Sequence, residues 1–249
     1  MRLYTDEVLS HLIYCRGFEY SEREFVSRLL RPGDTFVDIG ANAGLFTLIA
    51  SSVVGESGRV YAFEPSPVSF IHLMENISLN RLGNVKCIES ALSDQSGKLL
   101  LYVSTDGHSA WDTFTLDQTT AAKETREVVT TTVDAFIEEE KLLGKLTMMK
   151  IDVEGWESKV LSGGGNTFSR PDAPLLQVEF VDTVAKSAGA SCQDLYDMIR
   201  KYGYQLYTYD IESRQLVNET KKQEYPFVNL YAVKDLNMVN RRLSGQKSG

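Results

Sequence analysis

The sequence contains few cysteines, no long apolar run and no cluster of basic residues, and each absence excludes a class of protein. The three cysteines, Cys15, Cys87 and Cys192, are far apart and odd in number, so they predict reduced thiols in a cytoplasmic protein, without disulfides or a metal site. No stretch of about 20 apolar residues exists, and the N-terminus has no signal-peptide core, so we expect no membrane span. The formal net charge of −8 argues against a protein that holds nucleic acid through its phosphates.

What the sequence does contain is a regular alternation of strand and helix patterns. The 249 residues, 43% of them hydrophobic, suffice for one large α/β domain with a small accessory segment. The alternation predicts a mostly parallel sheet with helices on both faces, completed by an antiparallel pair of strands at 204–209 and 227–233. We divide the chain into four parts: a helical N-terminal segment 1–31 that packs against or over the mouth of the domain, an α/β domain 32–237, an insertion within it at 104–127, and a polar, frayed tail 238–249.

The most informative feature is a glycine turn that follows the first predicted strand, 35–39. Gly40 and Gly44 have no Cβ atoms, so the backbone there can bend sharply and approach a ligand closely. The next helix presents free N–H groups at its start, which suit a carboxylate or another polar group. Glu64, 20 residues after Gly44, ends the second strand, where its carboxylate can accept hydrogen bonds from both ribose hydroxyls. This combination predicts a site for the adenosine half of a cofactor.

Two details favour a sulfonium nucleoside over a dinucleotide in this site. Asn42 stands where the Gly-x-Gly-x-x-Gly fingerprint has its second glycine, and its side chain obstructs backbone approach to a pyrophosphate. Asp38 places a negative charge at the strand end, which repels a pyrophosphate but accepts from the ammonium group of a methionine moiety. S-adenosylmethionine is therefore the preferred cofactor. A nucleotide-linked oxidoreductase and an ordinary β-turn-α connection without a ligand are the alternatives.

Carboxylates recur at the carboxyl ends of the later strands, where ligands bind in sheets of this kind. Asp152 ends the fourth strand of the parallel set and is the first candidate for contact with the group that accepts the methyl. Glu154 and Glu179 lie at the same edge, and three converging carboxylates can orient a hydroxyl, raise one another's pKa or hold a divalent cation. The competing interpretation is that Glu154 favours a helix N-terminus and that Glu179 is a solvated charge. A metal is not favoured, because the sequence has no dedicated calcium loop.

The insertion carries the remaining candidates. His108 lies on a glycine-flanked loop and is the second candidate for a catalytic base, since a neutral imidazole can take a proton near neutral pH. A surface histidine without a role is the alternative. Trp111 and Phe114 are aromatic residues in an otherwise polar stretch. They either line an acceptor pocket and cover a sulfonium by cation–π contact, or anchor the loop to the core.

Several segments together resemble the FkbM-type methyltransferase family over roughly residues 30–235. The most specific segment is Lys150-Ile-Asp-Val-Glu-Gly-Trp-Glu157. The others are 32–44, 62–65, 91–94 with Gly97, 131–136 and 177–180. The resemblance implies a Rossmann-like class I methyltransferase fold with a seven-stranded, mostly parallel sheet. It also implies S-adenosylmethionine as the methyl donor, S-adenosylhomocysteine as the product, and O-methylation of a hydroxyl on a small molecule, natural product or sugar.

The resemblance further implies a set of cofactor contacts, with Ser90 and Ala91 placed beside the adenine. The set is Asp38, Gly40, Ala41, Asn42, Gly44, Glu64, Pro65, Ser90, Ala91 and Asp152. The expected partner is a small-molecule or glycan hydroxyl, and the identity of that substrate is expected to depend on the insertion 104–127. N-methylation and a cofactor-binding sensor without turnover are the alternatives to this function.

Overall fold

The computed structural model of the chain describes residues 1–3, 19–104, 114 and 123–245. His108, Trp111 and most of the predicted insertion lie outside the described residues, as does the segment 4–18 of the predicted helical N-terminus.

Strands and helices alternate along the described chain in the order that the sequence predicts. The helices are α1 (Tyr20–Leu29), α2 (Leu45–Val54), α3 (Pro67–Leu79), α4 (Val133–Glu139), α5 (Glu157–Ser162), α6 (Gly165–Phe168), α7 (Asp182–Ser187), α8 (Cys192–Lys201) and α9 (Leu236–Leu243). The strands are β1 (Thr35–Ile39), β2 (Arg59–Phe63), β3 (Val85–Ile88), β4 (Ala91–Leu92), β5 (Gly97–Ser104), β6 (Lys123–Thr131), β7 (Met148–Ile151), β8 (Leu175–Phe180), β9 (Gln205–Asp210), β10 (Gln215–Asn218) and β11 (Val228–Val233).

The main sheet has eight strands in the order β10-β9-β11-β8-β7-β1-β2-β3. The five strands from β3 to β8 in this order are mutually parallel, and β11 runs antiparallel to both β8 and β9. The seven strands predicted for the sheet are therefore present, and the antiparallel pair of β9 and β11 is confirmed. The eighth, β10, pairs with β9 in a hairpin. It was not predicted, because Gln215–Asn218 is short and lies mostly exposed, without the apolar alternation that marks a strand.

A separate three-stranded sheet in the order β4-β6-β5 flanks the insertion. The two extended segments predicted on either side of the insertion, β5 and β6, pair with each other in antiparallel register. Ser104 is the register partner of Lys123, so the two ends of the insertion leave the sheet from adjacent positions.

Side chains on each parallel strand alternate between two hydrophobic cores, one on each face of the main sheet. Val37 and Ile39 belong to the core that α4, α5 and α8 cover. Phe36 belongs to the core that α1, α2 and α9 cover. The prediction of helices on both faces is thus confirmed, and the polar groups of the site lie at the carboxyl ends of the buried strands between these two cores.

The prediction of a frayed polar tail at 238–249 is wrong for residues 238–243, which belong to α9. The side chain of Asp235 caps this helix by accepting a hydrogen bond from Met238 N at 2.9 Å. Val239 and Leu243, four residues apart, are buried on one face, and Arg242 pairs with Asp34 at the start of β1. The helix was not predicted because the segment is mostly polar. Its short buried face needs only two apolar residues, too few to form a clear helical pattern. Of the described helices, none is both long and apolar enough to cross a membrane.

Candidate cofactor and acceptor site

The glycine turn after β1 lies in direct backbone contact with the loop after β7. Gly40 has a φ of 80°, and a Cβ atom on it would lie 1.8 Å from the carbonyl oxygen of Asp152. Asp152 N in turn donates to the Ile39 carbonyl at 3.1 Å. Gly44 also has a positive φ, 92°, and a Cβ there would meet Leu73 Cδ1 at 2.7 Å. Both glycines are thus required by conformation and by close packing, and the predicted cofactor turn adjoins the predicted acceptor residue.

Glu64 ties the glycine turn to the loop after β2. Its side chain is only 6% exposed. One carboxylate oxygen accepts from Asn42 N at 2.7 Å and the other accepts from Ser66 N at 2.8 Å. A carboxylate can accept about four hydrogen bonds, so the same group can hold both loops and also receive hydroxyl donors. Asn42 takes the left-handed conformation, with a φ of 48°, and its side chain caps Ala43 N at 2.6 Å.

Asp38 is a buried acceptor beneath the turn, with 1% of its surface exposed. Its Oδ2 accepts from the Thr47 hydroxyl at 2.6 Å, whereas its Oδ1 has no hydrogen-bond partner in the part of the chain that the structure describes. Burial raises the pKa of Asp38, and the opposing effects of the Lys150 charge and of the Thr47 hydrogen bonds do not cancel it. A buried acceptor without a donor is costly; contact of this oxygen with a cofactor stays a prediction.

Ser90 and Ala91, predicted to lie beside the adenine, are largely buried between the two sheets. The Ser90 hydroxyl donates to the Val129 carbonyl at 2.9 Å, and Ala91 pairs with Thr130 in the small sheet. The Ser90 side chain therefore holds β4 against β6. Contact of these residues with a cofactor stays a prediction, as it does for Ala41 and Pro65.

Asp152, Glu154 and Glu179 converge as the sequence predicts. One carboxylate oxygen from each residue can be chosen so that all three lie within 4.8 Å of one another. Glu154 is held in the left-handed conformation, with a φ of 52°, between Asp152 and the start of α5. We call these three residues the acidic cluster. Such spacing allows shared protons, a hydroxyl held by several acceptors, or a divalent cation.

Lys150 supplies the positive charge beside the acidic cluster. It is 3% exposed and is the register partner of Asp38 in the pairing of β1 with β7. Its Nζ lies 2.6 Å from Asp152 Oδ2 and 4.7 Å from the centre of the Phe46 ring. Burial alone lowers the pKa of Lys150, but Asp152, Glu19 and Asp38 outweigh it, so the pKa is raised and the ammonium stays charged. Sequence reasoning assigned Lys150 no role, although a lysine within the apolar run of β7 was a visible signal.

Two members of the acidic cluster, Glu154 and Glu179, have raised pKa values. Burial, together with the neighbouring carboxylates, raises the pKa of Glu154 to about 8 and that of Glu179 to about 10, although Lys150 acts against both shifts. Burial also raises the pKa of Glu157 to about 7, even though its Oε1 accepts from Val153 N at 3.0 Å and from Gly155 N at 3.3 Å. The predicted upward shift of the pKa within this group is therefore present for Glu154 and Glu179.

The N-terminal segment reaches the same place through Glu19, which sequence reasoning missed. Glu19 immediately precedes α1 and has a φ of 45°. Burial raises its pKa to about 7, Lys150 opposes the shift, and Asp152 and Asp38 add to it. These electrostatic couplings place Glu19 close to Lys150 and Asp152. That segment 1–31 as a whole packs against or over the mouth of the domain stays a prediction.

Phe114, a described residue of the insertion, lies against the start of α5. Its ring centre is 5.1 Å from that of Trp156, and Trp156 Nε1 donates to Ser93 Oγ at 3.2 Å. Trp156 is two residues beyond Glu154, so at least this part of the insertion lies near the acidic loop. The contact supports an anchoring role for Phe114 and is compatible with a role in lining an acceptor pocket. His108 and Trp111 belong to the segments that the structure does not describe.

The strand order, with five parallel strands and an antiparallel strand beyond β8, defines the Rossmann-like class I methyltransferase fold. The chain belongs to the FkbM methyltransferase family, since the family description "Methyltransferase FkbM domain" matches residues 38–206, more than half of the chain. The family and the fold class inferred from the sequence are thereby confirmed.

Three curated relatives show how far the similarity extends. Methyltransferase 1 of Beauveria bassiana (strain ARSEF 2860) is 31% identical over 150 residues, which are 53% of this chain and 59% of that protein. The 31-O-demethyl-FK506 methyltransferase FkbM of Streptomyces tacrolimicus is 41% identical over 68 residues, 27% of this chain and 25% of that protein. The hexuronic acid methyltransferase AglP of Haloferax volcanii is 28% identical over 160 residues, 63% of this chain and 62% of that protein. The matches thus span less than two thirds of each relative.

Proposed function

We propose that this chain transfers the methyl group of S-adenosylmethionine to a hydroxyl of a small organic molecule or sugar. The observation that carries the proposal is the contact between Gly40 and Asp152, which joins the cofactor turn to the acidic cluster. A sulfonium nucleoside at the turn and a hydroxyl at the cluster are then neighbours. Such proximity and orientation can lower a barrier by up to about 7–11 kcal/mol.

The residues of the turn fit this cofactor. Glu64 accepts the ribose hydroxyls while its two backbone hydrogen bonds hold the carboxylate in place. Asp38 Oδ1, the buried oxygen without a recorded donor, accepts from the ammonium of the methionine moiety. The absence of Cβ atoms at Gly40 and Gly44 allows the backbone to lie close to the ligand.

The acidic cluster receives the acceptor hydroxyl and its proton. When bound, the donor supplies an electrophilic methyl group, so that an O–C bond forms as an S–C bond breaks. Lys150 fixes Asp152, which orients the hydroxyl. Glu154 is the preferred base, because its pKa of about 8 lies closer to neutral pH than that of Glu179, about 10. Glu179 stays protonated and donates a hydrogen bond within the cluster.

The charge of the cluster favours a neutral acceptor. Two relatives are named as a 31-O-demethyl-FK506 methyltransferase and as a hexuronic acid methyltransferase. The first of these names supports methylation at oxygen for this chain. Four buried carboxyl groups near the site, Glu19, Glu154, Glu157 and Glu179, already have raised pKa values, so a further carboxylate on the acceptor would require additional protonation, a cost that a neutral polyol avoids.

Glu64→Ala tests the cofactor contacts. Since hydrogen bonds to a charged group contribute about 1.5–3 kcal/mol each, we expect S-adenosylmethionine to bind at least ~30-fold more weakly by calorimetry. Wild type and variant are each titrated with S-adenosylhomocysteine and with its 2′-deoxy analogue. Removal of the 2′-hydroxyl should weaken binding to the wild type and have little effect on the variant, and equal losses in both proteins would exclude a ribose contact. The exposed Glu56→Ala is the control and should bind like the wild type.

The pH dependence of turnover tests the role of Glu154. Its raised pKa means that it is protonated below about pH 8, so kcat/KM should rise with pH and level off above about pH 8. Glu154→Gln should lower the plateau by about 10²–10⁴-fold and remove the slope. A variant that keeps both the plateau and the slope would exclude Glu154 as the base. Binding of the donor with no methyl transfer to any neutral hydroxyl compound would instead favour a cofactor-binding sensor.

A further inference from the structure

A cleft lies at the β10 edge of the main sheet, away from the cofactor turn. It is formed by the β9–β10 hairpin, the last turn of α1 and helix α9, and its volume is about 640 Å³. This volume is in the range of small-molecule sites, about 300–1,000 Å³. In the sheet order, β9, β11 and β8 separate β10 from β7 and β1, so the cleft is distinct from the methyl-transfer site.

The cleft is basic in a chain whose net charge is −8. Arg28, Arg214 and Arg241 line it, and none of the described lining residues is acidic. Arg28 and Arg214 both pair with Glu24, which lies outside the lining and also accepts from the Tyr209 hydroxyl. For Arg241 the described part of the chain shows no ion pair. Glu24 therefore fixes two guanidinium groups and balances one of three positive charges.

The backbone conformation at Arg214 belongs to the turn of the β9–β10 hairpin. Its φ is 54°, a left-handed conformation that costs a non-glycine residue roughly 1–2 kcal/mol. A glycine or asparagine at this hairpin position would avoid much of that cost. In this conformation the side chain of Arg214 forms part of the wall of the cleft.

We propose that this cleft binds a phosphorylated, hydroxyl-rich small molecule such as a sugar phosphate. Guanidinium groups bind phosphate oxygens through paired hydrogen bonds, which explains three arginines in one cleft. Asn237, Asn240 and Gln215 add amide groups to the lining, and amides donate to and accept from hydroxyls. The phosphate can belong to a free metabolite or to the headgroup of a lipid, since both present the same groups to the arginines.

Calorimetry without S-adenosylmethionine tests this proposal separately from methyl transfer. Glucose 6-phosphate is titrated against glucose, and we expect binding only of the phosphate ester, with a Kd below about 1 mM that weakens as salt is raised. Arg241→Gln should weaken binding at least ~10-fold, and Arg214→Gln should do the same. The control is Arg81→Gln, because Arg81 is exposed, lies outside the cleft and has the same φ of 54° as Arg214.

A second arm separates the two sources of phosphate. Sedimentation with vesicles containing phosphatidic acid is compared with vesicles of phosphatidylcholine alone. Binding of phosphatidic acid that Arg241→Gln removes supports the proposal with a lipid headgroup as the source. Absence of binding to both probes, or binding to either that is equal in wild type and Arg241→Gln, would overturn the proposal. Circular dichroism checks that each variant is folded.

Discussion

Gly40→Ala is expected to cost at least about 4 kcal/mol of the free energy of unfolding and to abolish donor binding. Two penalties add at this position. Alanine at a φ of 80° is strained, and its Cβ would lie 1.8 Å from the Asp152 carbonyl oxygen, a backbone atom that moves only if β1 and β7 separate. Because domains of this kind are stable by only about 5–15 kcal/mol, the loss should be evident in guanidinium chloride unfolding.

Two other glycines of the chain separate these penalties. Gly55 has a φ of 64° and a ψ of −170° but no atom within 4 Å of its potential Cβ, so Gly55→Ala should cost only the conformational strain, roughly 1–3 kcal/mol. Gly83 has neither a positive φ nor a close neighbour, so Gly83→Ala should be neutral or slightly stabilising. If Gly40→Ala cost no more than Gly55→Ala, the tips of β1 and β7 would not be in contact, and the proposed joining of the two half-sites would fail.

The parts of the fold that could be predicted are those that depend on the pattern of residues within a short stretch of the chain. The glycine turn, the strand-end carboxylates and the alternation of strands with helices all depend on residues close together in the chain. β10 was missed because its exposed residues show no apolar alternation, and α9 was missed because it packs through contacts with distant parts of the chain. The hydroxyl of Tyr209 reaches Glu24 across 185 residues, and Arg242 reaches Asp34 across 208. The spacing of apolar residues along the chain gives no indication of such long-range pairs.

The three residues of the acidic cluster were predicted from the sequence, whereas Lys150 and Glu19 were not. Asp152, Glu154 and Glu179 were recognised because strand ends form one edge of the sheet, so their convergence follows from topology. Lys150 lies within a strand, and its role depends on its register with Asp38 and on its burial. Glu19 depends on how α1 packs over the sheet. Neither register nor helix packing can be read from composition or spacing.

Lys150→Met is expected to destabilise the protein by about 3–5 kcal/mol, the usual cost of removing one partner of a buried ion pair. The methionine fills a similar volume, so a packing defect is not the main cause. The variant leaves Asp152, Asp38 and Glu19 without the ammonium that lies among them. Unfolding should be measured by denaturant titration at several pH values, because the loss has a characteristic pH dependence.

The sign of that dependence follows from the raised pKa values of the carboxyls. In the folded chain the pKa of Glu19 is about 7, that of Glu154 about 8 and that of Glu179 about 10, each above the reference value of 4.5. A raised carboxyl pKa gives stability that is fully present below about pH 4.5 and is lost as the pH rises through the folded value. Lys150 lowers all three pKa values, so its removal raises them further and deepens the loss at high pH.

The difference in unfolding free energy between wild type and Lys150→Met should therefore grow from about pH 5.5 to about pH 8.5. Lys234→Met is a matched control, since Lys234 also lies over an aromatic ring, at 4.7 Å from the centre of Tyr204, and has only Asp172 as a recorded charged neighbour. Its cost should change little with pH. A constant difference for Lys150→Met would mean that the lysine acts by packing on Phe46, and that the acidic cluster does not depend on its charge. A growing difference would establish that the charge of Lys150 limits the rise in the pKa values of Glu19, Glu154 and Glu179.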